Sequence, residues 1–317
     1  MIIRLGYVAI SKALDNITSS SSLSYTNYLK LPEEERLKKI DYTILSNLID
    51  LKKIINYNIK NNIHFYRLTS KLIPLATHQD VDYDYIKPYQ ALFQEIGTLI
   101  KDNQLRVDVH PDQFAVLNST KKEVVDNTFE ILKYHHNILK ALNIKNKIII
   151  LHIGSSVLGK TNSLKRFSNN FNKLPKEIRE CIALENDDKT YNIEDCLTLC
   201  EQLNIPMVLD YHHYICNSGN LDINTYYNRI FNTWKNTNPK IHFSSPKNKT
   251  KKDMRSHHDY INPDDFIFFI DNIKKLPYDV DIMLEAKAKD DALFRLVRQL
   301  KYKSNYQFID DTTFKVE

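Results

Sequence analysis

Eight times along this chain a short, mainly apolar run is followed by a stretch with helical spacing, and that alternation restricts the fold more than anything in the composition. The run Ile205-Pro206-Met207-Val208-Leu209, closed by Asp210, shows the pattern. Consecutive apolar positions belong to a strand buried on both faces, as in a parallel sheet or barrel. The others are Ile2 to Val8, His64 to Leu68, Leu105 to Val109, Lys147 to Leu151, Cys181 to Leu184, Lys240 to Phe243 and Val280 to Leu284. Between them, helices are expected from Pro32 to about Asn61, Tyr85 to Asp102, Lys122 to Leu142, in segments through Arg179, from the cap Asn192 to Leu203, Asp222 to Trp234, from Pro263, and from Asp290 to Leu300. Strand and helix in eightfold alternation close into a (β/α)₈ TIM barrel, an α/β fold whose active sites lie where the strands end.

A chain of 317 residues with 42% hydrophobic content can fill such a barrel, and no shift in composition divides it. The expectation is therefore one domain over residues 1–317, with a C-terminal tail from about 303 to 317. Its apolar runs stay far below the roughly 20 residues a bilayer requires, and it begins directly on a strand-like segment, so a cytoplasmic protein with no membrane partner is expected. Its four cysteines form no CxxC pair and read as reduced thiols. The formal charge of +5 permits a polyanionic partner without naming one.

The strand ends carry the chemistry. Six of them present His110, His152, Glu185, Asp210, His242 and Glu285, all at one mouth if the barrel closes. Imidazoles mixed with carboxylates, and no cysteine, suit ions such as Mn²⁺, Zn²⁺ or Mg²⁺. Three acids among so many histidines exceed the needs of one ion, so two or three are inferred. Such sites clamp phosphodiester oxygens, which makes phosphodiester hydrolysis the leading reaction class. Beyond the strand ends, His212 or His213 and His257 or His258 add further donors, and pattern alone does not choose within either pair.

Lys240 lies two residues before His242, so both side chains share a strand face. Among cations it must be neutralised, modified, or turned to a substrate phosphate; Lys287 stands in the same relation to Glu285. The loop His110-Pro111-Asp112-Gln113-Phe114 offers an amide beside a ring, able to wedge into a base stack. Lys247, Lys249, Lys251, Lys252 and Arg255 follow strand seven as a basic rim suited to a phosphate backbone.

Taken together, Arg4-Leu5-Gly6-Tyr7, Arg67 through Ile73-Pro74 to His78, the loop from His110 to Phe114, Leu151-His152-Ile153-Gly154, Ala183 to Asp187, Asp210 with His213, Lys240-Ile241-His242, His257 and Met283 to Lys287 resemble the UV damage endonuclease family. The resemblance implies a xylose-isomerase-like barrel, a monomer acting on damaged double-stranded DNA at the nucleoid. It implies nicking immediately 5′ of pyrimidine dimers and 6-4 photoproducts, with nucleotide flipping. It also implies up to three ions, commonly Mn²⁺. Glu185 would bridge two, with His110 and His152 on one and Asp210, His242 and Glu285 on the other; His213 and His257 would hold a third. By the same resemblance Lys240 matches a lysine found modified and His78 an active-site histidine. Gln113 and Phe114 match a probing pair that is typically glutamine and tyrosine. Ser11 stands where some relatives place asparagine, and Tyr7 would line the lesion pocket. An abasic-site endonuclease and a sugar isomerase or epimerase are the alternatives on the same barrel.

Overall fold

The computed structural model describes residues 1–235, 237–248, 250 and 253–317. Its barrel strands are β1 (Ile2–Val8), β2 (Phe65–Leu68), β3 (Arg106–Val109), β4 (Ile149–His152), β5 (Ile182–Glu185), β6 (Met207–Asp210), β7 (Lys240–Phe243) and β8 (Val280–Leu284). They pair in parallel in the order β2 to β8 and then β1, and β1 pairs back with β2, which closes the barrel. Closure is tight at Gly6, where a Cβ would stand 2.3 Å from the carbonyl oxygen of Phe65; only glycine lets the two backbones approach so closely.

Alternation along each strand sorts the core into two environments. Ile149, Leu151, Ile182, Leu184, Met207 and Leu209 face outward into one large apolar cluster with the surrounding helices. Their neighbours Ile150, Ala183 and Val208 face inward and pack with Trp234 in a small separate cluster inside the barrel. Much of the rest of the interior is charged, with Phe65 against Arg106 and Lys240. At its base the carboxylate of Asp281 accepts from Nε and Nη2 of Arg4 and from Nη1 of Arg106. Beside it, Lys240, the register partner of Asp281, is ion-paired with Asp108. The barrel interior is thus shared between hydrocarbon and paired ions.

The helices follow the expected limits with informative exceptions. Ile193–Leu203 starts in a reciprocal capping box: Asn192 accepts from the Glu194 and Asp195 amides, and Asp195 accepts from the Asn192 amide. Such a cap stabilises by about 1 kcal/mol. The helix expected from Asp222 to Trp234 is instead a 3₁₀ turn, Ile223–Thr225, followed by Tyr227–Asn232. Asp222 accepts from the Asn224 amide and the Thr225 hydroxyl donates to the Asp222 carbonyl, side-chain bonds that compete with a continuous helix. The helix expected from Tyr85 begins only at Gln90, after a 3₁₀ turn, Lys87–Tyr89, built around Pro88. A short helix, Tyr211–Cys216, springs directly from the end of β6, where the sequence pattern announces none. The C-terminal segment forms strands β9 (Gln307–Phe308) and β10 (Thr313–Lys315), and β10 runs antiparallel to the start of β1.

Candidate metal centre

Because the strands run parallel, their carboxyl ends open on one face. Glu185, the last residue of β5 and 1% exposed, stands at the centre of that face. Its Oε2 lies 2.9 Å from His110 Nε2 and 3.6 Å from His152 Nε2, and its Oε1 lies 2.8 Å from His242 Nδ1 and 3.5 Å from His213 Nδ1. Three donor sets follow, each with atoms within 4.8 Å of one another: His110, His152 and Glu185; Glu185, His242 and Glu285; Glu185, Asp210 and His213. Glu185 belongs to all three. His257 joins the rim, its Nδ1 3.9 Å from Glu285 Oε2.

Local folding decides which of the paired histidines turn inward. Asp210 caps the helix Tyr211–Cys216 by accepting from the His213 amide, and this turn brings His213 Nδ1 to 3.6 Å from Asp210 Oδ2. His212 belongs to none of the three triads; it is fully buried, with Nε2 3.8 Å from Cys216 Sγ and its ring edge-on to that of His257, 5.6 Å between centroids. His258 is exposed and accepts from the Tyr260 amide.

The electrostatics are those of a cage built around positive charge. Burial would raise the Glu185 carboxyl, yet His242, His152 and His110 hold it well below the usual carboxylate range. Burial pushes Asp210 well above that range, against the pull of His213, with Glu185 and Glu285 adding repulsion. Burial disfavours the His213 cation, but Asp210 and Glu185 outweigh it and raise the group to about 9. Asp210 Oδ2 and His152 Nδ1 are buried without a hydrogen-bond partner. Clustered carboxylates, imidazoles and orphaned donor atoms fit divalent ions, which these residues are equipped to hold.

Two residues that the spacing argument passed over complete the centre. Arg67 of β2 donates from Nη1 to Glu285 Oε1 at 2.6 Å, and its Nη2 contacts His242. Asp108 of β3 neutralises Lys240. A signal existed for Asp108, which stands two residues before His110 on the same strand face. Lys240 does share the face of His242 but lies one pleat deeper and is 1% exposed, so the expectation that it could face a substrate phosphate is corrected. Burial pushes it down to about 7, with Asp108 opposing and Arg67 reinforcing.

The mouth opens into a cleft of about 970 Å³ lined by Gln113, Phe114, His152, Asp187, His213 and Arg255. Phe114 is 77% exposed, an unusual position for a phenyl ring. Arg255 is tethered to Asp188, and Lys247 and Lys287 are exposed; Lys249, Lys251 and Lys252 lie outside the described residues. His78 stacks on Tyr25 with ring centroids 3.9 Å apart and lines a neighbouring cavity with Asp112 and His135; among the described residues its polar neighbour is Asp80, outside the triads. Tyr7 corrects an expectation. It is fully buried on the outward face of β1, its hydroxyl donating to Asn58 of the helix Glu33–Lys60, and so does not line the cleft. Ser11 is also buried, donating to Asp290.

The family described as UV-endonuclease UvdE matches residues 3–314. A protein of Bacillus mycoides (strain KBAB4) named UV DNA damage endonuclease is 38% identical over 318 residues, covering 99% of this chain and all of its own. The crystal structure of SacUVDE superposes with a TM-score of 0.85 at 34% identity, covering 95% of this chain and 98% of that one. Endonuclease IV from Thermus thermophilus, at 10% identity and a TM-score of 0.56 over 95% of this chain and 100% of its own, shares the fold.

Proposed function

The chain belongs to the UV-endonuclease UvdE family, and from that membership we propose that it is a metal-dependent DNA repair endonuclease. It nicks duplex DNA immediately 5′ of pyrimidine dimers and 6-4 photoproducts. The observation that carries this reading is Glu185, one buried carboxylate common to three donor triads beneath a cleft that displays Phe114.

Each residue's part follows from its position. Two or three divalent ions, Mn²⁺ foremost, when bound would supply Lewis acidity toward the scissile phosphate and a nucleophile at neutral pH. His110, His152, Asp210, His213, His242, His257 and Glu285 would hold them around Glu185. Arg67 orients Glu285, and Asp108 keeps the charge of Lys240 paired beneath the centre. Phe114 and Gln113 enter the duplex, where a photolesion already stacks badly and flips at lower cost than an intact step. Lys247 and Arg255 meet the backbone from the rim.

Incubation with Mn²⁺ and matched duplexes, one irradiated, one undamaged and one abasic, tests the reading. Cutting confined to the irradiated duplex supports it; equal cutting of all, or of the abasic duplex alone, overturns it. Metal analysis of chelator-stripped protein reloaded with Mn²⁺ should give two to three ions per chain, and a single ion would favour the epimerase-like alternative. Gln113→Ala should lower the ratio of damaged to undamaged cutting by about 10-fold, the loss of one or two hydrogen bonds, without changing metal content.

A further inference from the structure

We infer that the opposite end of the barrel carries a second binding site, for a phosphate monoester of about nucleotide size. Where the strands begin there is a cleft of about 850 Å³, within the range of small-molecule sites. Its floor is Arg4 and Arg106, its rim Lys101, Lys145 and Lys147, and among the described residues no acidic side chain lines it. Ile100, Leu105 and Ile144 supply an apolar wall.

The floor is built rather than incidental. Arg106 lies between the rings of Phe65 and Trp234, 5.3 and 5.1 Å from their centroids, and donates to the Asn238 carbonyl. Asp281, with no exposed surface, accepts from both arginines from behind. Asp281 is shared by two guanidiniums, and among the described lining residues the two arginines and three lysines leave an excess of positive charge on the cleft wall. Nη1 of Arg4 and Nη2 of Arg106 have no protein partner among the described residues, and donors fixed in this way lose little freedom on binding an anion. Asp279 and Asp310 act on Arg4 but do not line the cleft. A purely structural plug for the barrel would account for the Arg4–Asp281–Arg106 triad. It would not account for three further lysines on the same cleft, none paired with an acid among the described residues. The concave shape favours a small phosphate ester over a duplex, whose backbone would meet only the rim.

Trp234, the only tryptophan of the chain, stands against Arg106 and reports on the site by fluorescence. The 317-residue chain is titrated with adenosine 5′-monophosphate, adenosine and inorganic phosphate, with calorimetry in parallel. The monophosphate should bind at least 10-fold more tightly than adenosine, with inorganic phosphate competing. The triple variant Lys101→Ala, Lys145→Ala, Lys147→Ala should weaken it by at least 10-fold while cutting of irradiated duplex is unchanged. Lys101 and Lys145 are exposed and Lys147 partly so, and the single variant Lys101→Glu carries the same prediction with less demand on the fold. Unchanged affinity in both variants, equal binding of adenosine, or loss of duplex affinity in the triple variant would each overturn the inference.

Discussion

Replacing Glu185 by alanine will reduce cutting of irradiated duplex by about 10³-fold or more, while binding of that duplex stays within a few-fold of the wild type. The size of the effect follows from sharing. Loss of His110 or of His213 takes one donor from one triad, whereas loss of Glu185 takes one from all three at once. It also leaves His242, His152 and His110 without the carboxylate that lies within 3.6 Å of each. The duplex contacts proposed above lie elsewhere, at the exposed Phe114 and the rim, which is why binding should survive. Measured side by side, nicking rate, duplex affinity and metal content separate the possibilities. An alanine variant that cuts at a tenth of the wild-type rate or faster would show that Glu185 is peripheral.

The second large effect concerns stability. Asp281→Asn will destabilise the protein by about 3 kcal/mol, because a buried carboxylate is removed from between two guanidiniums that then repel one another. For a chain of 317 residues that is a fall in Tm of about 4–5 °C. Burial alone would raise the Asp281 carboxyl, but Arg106 and Arg4 together hold it below its usual value of 3.8. A depressed carboxylate stabilises the fold above its unfolded value and loses that contribution as pH falls through the lower folded one. Hence the gap between wild type and Asp281→Asn should be full at neutral pH and begin to close only as pH drops below about 3.8. Urea unfolding at a series of pH values checks this, and a gap that stays constant down to pH 2 would contradict it.

Legibility in the sequence followed the range of the interactions. β1, β7 and β8 run over the very residues their apolar patterning marks, and the helix from Asn192 to Leu203 is announced by a cap and an acid in its first turn. These signals sit within a few residues of one another. The broken helix after Asp222 and the short one after Asp210 were hidden because side-chain bonds to nearby backbone decided them, and such bonds leave no periodic trace. Tyr7 shows the limit most clearly. Strand β1 was legible, but which parity of residues faces inward was not; the structure turns Arg4 to Asp281 inside and Tyr7 to Asn58 outside.

From sequence alone came the class of fold and the supply of donor side chains, because a period of two or of 3.6 and the residue that ends each run are local properties of the chain. Tertiary structure alone decided the partners: Glu185 as the carboxylate common to three triads, Lys240 against Asp108 at a separation of 132 residues, His213 beside Glu185 and His257 beside Glu285. The reason is that a charged side chain inside a barrel is neutralised by whatever closure places across from it. Closure sets strands side by side in space, at distances along the chain that no local pattern records.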